Sequence, residues 1–339
     1  MSRQQKLKAC SIWVCSLFLT GWIATVNAHH VIVETDYVLK NKDKPGVILI
    51  DARGASDYKK GLIPGAVVLG EKPARFSLRD VDERILPVKK LEKILGDAGL
   101  TCDNEIIVYG TKGDTNPDLV FWILEYLGAP KAKVYHGGMD DWTTGKHPLT
   151  NEARKLPAAQ FTAKLRPEVM ATTDFVKKNL KNKEIQFIDS RTVKEYEGDD
   201  IRALRGGYIA AVNHVNIPYE YAWKDPEADM KLAQKKVQDR EGMALKDAAG
   251  IKELYKGIDP KKEVVAYCQT GIRSTQTYAV LREMGYQKVR NYDDSWIVWG
   301  SQVDLPAGNV SYFDFLKANA ALRRLDALEK KVEALTPKK

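Results

Sequence analysis

Short apolar runs bounded by charge alternate along this chain with stretches of helical spacing. Residues 47–50 (Val-Ile-Leu-Ile), 106–109 (Ile-Ile-Val-Tyr) and 264–267 (Val-Val-Ala-Tyr) are continuous apolar runs of strand length. Such runs predict strands buried on both faces. Residues 88–95 and 119–127 carry apolar positions at helical spacing, as do Ala279, Val280 and Met284 beyond Ser274. Residues 62–68 hold the turn Ile63-Pro64-Gly65-Ala66. Alternation of strand and helix predicts an α/β protein with a parallel sheet covered on both faces.

The pattern occurs twice. At an offset of 138, Thr35-Asp36-Tyr37-Val38 meets Thr173-Asp174-Phe175-Val176, Ile50-Asp51-Ala52-Arg53 meets Ile188-Asp189-Ser190-Arg191, and Tyr58 meets Tyr196. The offset is 158 at Tyr109 and Tyr267 and 157 for residues 135–142 against 292–299. Two copies of one domain are expected, over 29–150 and 169–305, joined by a linker at 151–168. About twenty extra residues in the second copy are expected in the polar stretch 221–257. In the tail, 306–339, Leu322, Leu325, Leu328, Val332 and Leu335 predict an amphipathic helix that docks on the body or makes a partner or dimer contact.

The first 28 residues read as a processing signal. Arg3, Lys6 and Lys8 precede an apolar stretch over 9–26, and Val26-Asn27-Ala28 puts small residues at a cleavage site. A mature start at His29 and export are expected, to the periplasm in a bacterium, with no stable membrane span after the signal is removed. The formal charge of +8 includes those three cations, leaving +5 elsewhere. That mild bias suits anionic small molecules, and no basic cluster interleaved with aromatics points to nucleic acid. Of four cysteines, Cys10 and Cys15 leave with the signal. Cys102 and Cys268 are expected unpaired, because a bond between them would cap the candidate nucleophile. The five histidines show no metal-ligand spacing.

That nucleophile is Cys268, where the 264–267 run ends and a loop, Gln269-Thr270-Gly271-Ile272-Arg273, leads into a helix beginning near Ser274. Backbone N–H groups of such a loop, with the positive end of the helix, favour an anion at the centre. A thiol there is favoured as thiolate, with Arg273 as a neighbouring cation. Gly110 replaces Cys268 in the first copy while Gly113 matches Gly271, so the first copy is expected to be catalytically silent.

The segment 268–273 resembles the six-residue active-site loop of the rhodanese family of sulfurtransferases, in which the cysteine carries a persulfide. Residues 188–191, 207–209 and 215–218, and 292–300 (Tyr-Asp-Asp-Ser-Trp-Ile-Val-Trp-Gly), resemble further family segments, and the likeness spans roughly 31–305. The family usually has Gly where Asp294 stands. The resemblance implies two tandem rhodanese-like domains, the first inactive, with the site in the cleft between them. It implies sulfur transfer from thiosulfate to cyanide or a thiol through a Cys268 persulfide, without a cofactor or metal. Arg273 would hold the anionic donor, and the amides of Gln269, Thr270, Gly271, Ile272, Arg273 and Ser274 would stabilise the persulfide. For Arg191 two readings stand: an anion contact at the pocket mouth, or a pairing with Asp189 or Glu195 that pins the strand end. Gln269 and Arg273 favour thiosulfate over 3-mercaptopyruvate as donor. A persulfide carrier with little turnover on small acceptors, and a phosphatase, disfavoured by the short loop, are the other readings.

Overall fold

The computed structural model describes residues 30–335. The expected leader at 1–28 and His29 lie outside the described residues. No helix among the described residues is long and apolar enough to cross a membrane.

The first copy contributes strands β1 (Ile32–Val33), β2 (Val47–Asp51), β3 (Ala66–Val68), β4 (Glu105–Tyr109) and β5 (Ala132–Tyr135). The second contributes β6 (Met170–Ala171), β7 (Ile185–Asp189), β8 (His214–Asn216), β9 (Glu263–Tyr267) and β10 (Val289–Tyr292). Each set forms a five-stranded, all-parallel sheet, ordered β1-β5-β4-β2-β3 and β6-β10-β9-β7-β8. The apolar runs are the central strands, and every residue of β2 and β7 is buried. The two sheets are thus the same fold built twice, as the repeat predicts. The helices Asn116–Tyr126 and Arg273–Glu283 follow β4 and β9 in the two copies, and Phe121 of one packs on Tyr278 of the other at 6.2 Å between ring centroids. These two helices are buried nearly all round because each covers its own sheet and the other domain.

The repeat extends to individual hydrogen bonds. Arg53 pairs with Asp51 and donates to Gly61 O, while Arg191 pairs with Asp189 and donates to Gly207 O. Tyr109 Oη accepts from Ile63 N and Tyr267 Oη from Ile209 N. Trp142 and Trp299 donate to Pro148 O and Pro306 O.

Strand register relocates half of the extra residues. Leu49 pairs with Ala66 and Phe187 with His214, so the offset is 138 on β2/β7 and already 148 on β3/β8. It reaches 158 on β4/β9. Ten residues therefore enter before β8, and ten between β8 and β9. The polar stretch 221–257 accounts for only the second ten. It forms the helix Ala228–Ala233 on a small core of Trp223, Ala228 and Met243, and the helix Ala248–Leu254, whose Ile251 joins the main core.

The segment between the copies has no helix or strand over 151–166, yet it is strapped to the first copy. Phe161 is buried, Ala159 N donates to Gly96 O, and Lys164 N and Arg166 N donate to Leu127 O and Tyr126 O. The tail forms the helix Phe315–Leu335.

Candidate active site

The chain leaves β9 at Tyr267, and its next residue, Cys268, is fully buried. Every carbonyl from Cys268 to Ile272 has a partner outside the loop's centre. Trp296 N donates to Cys268 O at 3.0 Å and Ile297 N to Gln269 O at 2.8 Å. Arg79 Nη2 donates to Thr270 O at 2.6 Å, Asn291 Nδ2 to Gly271 O at 2.9 Å and Thr275 Oγ1 to Ile272 O at 2.6 Å. In a trans peptide the C=O and the following N–H point opposite ways, so each carbonyl held outward turns the next amide inward. Among the described residues, the N–H groups of residues 269–274 meet no acceptor. Buried amides are nearly always paired. Six consecutive unpaired ones make an anion cradle, reinforced by the N-terminus of the eleven-residue helix Arg273–Glu283. Gly271 closes it at φ +77°, where a Cβ would lie 2.5 Å from Asp293 O.

The matching loop of the first copy shows what such a loop attracts. A Cβ on Gly110 would lie 2.8 Å from Asp114 Oδ2, and Asp140 accepts from Lys112 N at 2.7 Å. Its own carboxylates occupy the first loop, where Cys268 occupies the second. The third residue after the following strand also differs between the copies. Gly138 sits at φ +53°, and at the same place Ser295 adopts φ +50° despite its side chain. That left-handed conformation costs on the order of 1 kcal/mol. It places Ser295 Oγ to accept from Cys268 N at 3.1 Å and donate to Tyr292 O at 2.6 Å. Asp294, where a glycine is usual, has ordinary φ −59°, accepts from Thr173 Oγ1 and pairs with Arg84 of the first copy.

Arg273 meets Glu195 with two parallel bonds of 2.7 and 2.8 Å. Burial alone would raise the Glu195 carboxyl, but Arg273 holds it down at about 2. Burial likewise opposes the Arg273 charge, and Glu195 with Cys268 outweighs it, so the guanidinium stays charged. Gln269 is buried, with Nε2 donating to Arg202 O at 2.7 Å. Ser274 Oγ donates to Asn291 Oδ1. Ile272 packs into the core between the copies.

Arg191 is not at the pocket mouth. It is 1% exposed, its fork is spent on Asp189, and its guanidinium stacks 4.6 Å over Trp296. Arg53 repeats the pairing in the first copy, so the anion-binding reading of Arg191 gives way to the strand-pinning one. An exposed cation beside the loop is Arg202, which belongs to the extra residues ahead of β8. Its side chain is 52% exposed, pairs with Asp200 and lies 3.9 Å from Glu195. It has no counterpart in the first copy, and the misplaced insertion hid it from the repeat.

Glu220, on the turn Tyr219–Ala222, has one buried oxygen without a partner. Burial pushes its carboxyl up to about 7, with Glu195 and Asp229 adding repulsion and Arg273 opposing. A carboxyl raised on folding loses stability as pH rises through the window between its unfolded value of 4.5 and about 7. Glu220→Gln removes that loss. Denaturant titrations should find the variant more stable than the parent by about 1–2 kcal/mol near pH 8, with the gap closing towards pH 5.

The remaining sequence candidates have structural partners. Cys102 is a free, buried thiol donating to Thr162 O, and burial raises its pKa. Burial takes His136 down to about 4, bonded to Met243 O, and His214 bonds Ala211 O. A cavity of about 1120 Å³ lies between the copies, lined by Lys112 of the first copy's loop, Ile251 and Tyr286, and does not include Cys268. The Cys268 loop instead abuts the first copy's segment 79–85: Arg79 and Ile85 N both bond Asp293.

The rhodanese-like domain model matches residues 34–144 and 172–302. The chain is 29% identical to a thiosulfate sulfurtransferase of Azotobacter vinelandii, over 77% of this chain and 91% of that one. It is 27% identical to a sulfur carrier protein of Thermus thermophilus, over 81% and 95%. Among solved structures, a 3-mercaptopyruvate sulfotransferase of Escherichia coli superposes with a TM-score of 0.62 at 23% identity, over 79% of this chain and 99% of that one. The cradle around Cys268, the doubled parallel sheet and the two matched segments together make this chain a member of the rhodanese family of sulfurtransferases, with one rhodanese-like domain in each half.

Proposed function

We propose that the chain is a thiosulfate sulfurtransferase working through a Cys268 persulfide. The observation that carries the proposal is the ring of six unpaired amides around one cysteine. The Cys268 thiolate attacks the outer sulfur of thiosulfate, forming a new S–S bond. The original S–S bond breaks and its electron pair leaves with sulfite. Cyanide or a thiolate then attacks the outer sulfur of the persulfide anion and returns Cys268 as thiolate. Amides of residues 269–274 hold the negative charge at each stage.

Donor recognition is assigned to Arg273 and Arg202. Arg273, tied to Glu195, supplies a fixed positive field, and exposed Arg202 meets the incoming dianion. Glu220, neutral below about pH 7, adds little repulsion there. Gln269 closes the loop on Arg202 O and favours a compact inorganic donor. The leader would carry this chemistry out of the cytoplasm, to the periplasm in a bacterium.

Steady-state kinetics with thiosulfate and cyanide should give the parallel lines of a ping-pong cycle, with kcat/KM for thiosulfate at least about tenfold that for 3-mercaptopyruvate. The reverse preference would replace the donor. Faster hydrolysis of an aryl phosphate would reject sulfur transfer, and a persulfide that turns over slowly with every small acceptor would mark a carrier.

A further inference from the structure

The helix Phe315–Leu335 is built of strong helix formers yet has almost nothing around it: of residues 312–332, only Ala318 is less than exposed. Leu322, Leu325, Leu328 and Val332 are 51–62% exposed. A stripe of this kind on a solvated helix is uncommon unless something covers it.

Its spacing and charges identify the cover. Ala318, Ala321, Leu325, Leu328 and Val332 follow the alternating three-four spacing of the a and d positions of a heptad. The branched residue Val332 falls at a and Leu328 at d, the combination that favours two parallel strands. The g positions are then Lys317, Arg324 and Lys331, and Glu329 is at e. Lys330 and Asp326, on the outer face, pair with each other within the helix at 3.0 Å. Arg324 and Glu329 have no partner among the described residues. In a parallel, in-register pair, each Arg324 faces Glu329 of the other strand, the g-to-e′ contact that sets partner and orientation. An antiparallel pair would set the three basic g positions against one another.

We infer that two copies of this chain associate through residues 315–335 as a parallel, in-register two-stranded coiled coil. The small residues Ala318 and Ala321 lie next to the body and let the two strands approach closely there. With three heptads the association is modest and concentration-dependent.

Sedimentation equilibrium of the full mature chain tests this over a concentration series up to the solubility limit. The expected result is a monomer–dimer equilibrium that disappears in Leu325→Lys/Leu328→Lys and in a chain ending at residue 310. Arg324→Glu, which sets Glu against Glu329, should weaken the dimer several-fold. The double exchange Arg324→Glu/Glu329→Arg should restore it, which a merely misfolded helix would not do. A monomer at every concentration overturns the inference, as does a dimer that survives Leu325→Lys/Leu328→Lys. A dimer strengthened by Arg324→Glu overturns the parallel register, because only an antiparallel pair brings basic g positions together.

Discussion

Cys268→Ser will leave the purified mature chain unable to gain a sulfur atom. In an intact-mass spectrum after treatment with thiosulfate, the parent should rise by the mass of one sulfur and return to its starting mass with cyanide; the variant should not move. Its turnover with thiosulfate and cyanide should fall at least about a thousandfold, because nothing else in the loop can form the covalent intermediate. The substitution is small and the site is held by backbone contacts, so the fold should survive. Cys102→Ser is the matched control. Its thiol donates to Thr162 O on the strap segment, away from the cradle, so both the mass gain and the turnover should persist. Mass gain on the parent without cyanide discharge would retain the persulfide and remove cyanide as acceptor. No gain at all would remove thiosulfate as donor.

What could be read along the chain followed from local rules, and what could not depended on where distant segments meet. The runs at 47–50, 106–109 and 264–267 are strands because only a doubly covered parallel strand hides so continuous an apolar stretch. The Gly110/Cys268 contrast follows from aligning the two copies, and the structure adds its physical content by placing the Asp114 carboxylate in the first loop. Arg191 was ambiguous because an arginine two residues beyond a strand-end aspartate can turn either way. Packing against Trp296 decides it. Arg202 and Glu220 gave no signal of their own: each is one charge in a polar stretch until the strands bring Glu195, Arg273 and the turn at 219–222 together. Ser295 is legible only as a backbone angle.

Arg79→Met should cost a large share of the stability although it lies outside the cradle, and it acts from the first copy. The Arg79 side chain is 1% exposed, donates to Asp293 Oδ1 at 2.7 Å and to Thr270 O at 2.6 Å. Removing it strands the Asp293 carboxylate in a buried site, and breaking such a pair from one side costs about 3–5 kcal/mol. Burial already raises the Asp293 pKa, with Arg79 working against it, so loss of Arg79 raises it further. The deficit should therefore be greatest at neutral and alkaline pH and shrink in acid, where Asp293 protonates and needs no partner. Arg79→Met/Asp293→Asn should lose less than the single variant, the coupling expected of a contacting pair. The second bond gives the change a functional signature. Arg79 holds Thr270 O outward and so points the Gly271 amide at the sulfur; without it that peptide plane is free to turn. The persulfide on Arg79→Met should be discharged to solvent thiols several-fold faster, as timed by intact mass, in both the single and the double variant. A single variant as stable as the parent would mean that the first domain does not clamp the Cys268 loop. Lowered stability with unchanged persulfide lifetime would confine the clamp to folding and leave the cradle self-supporting.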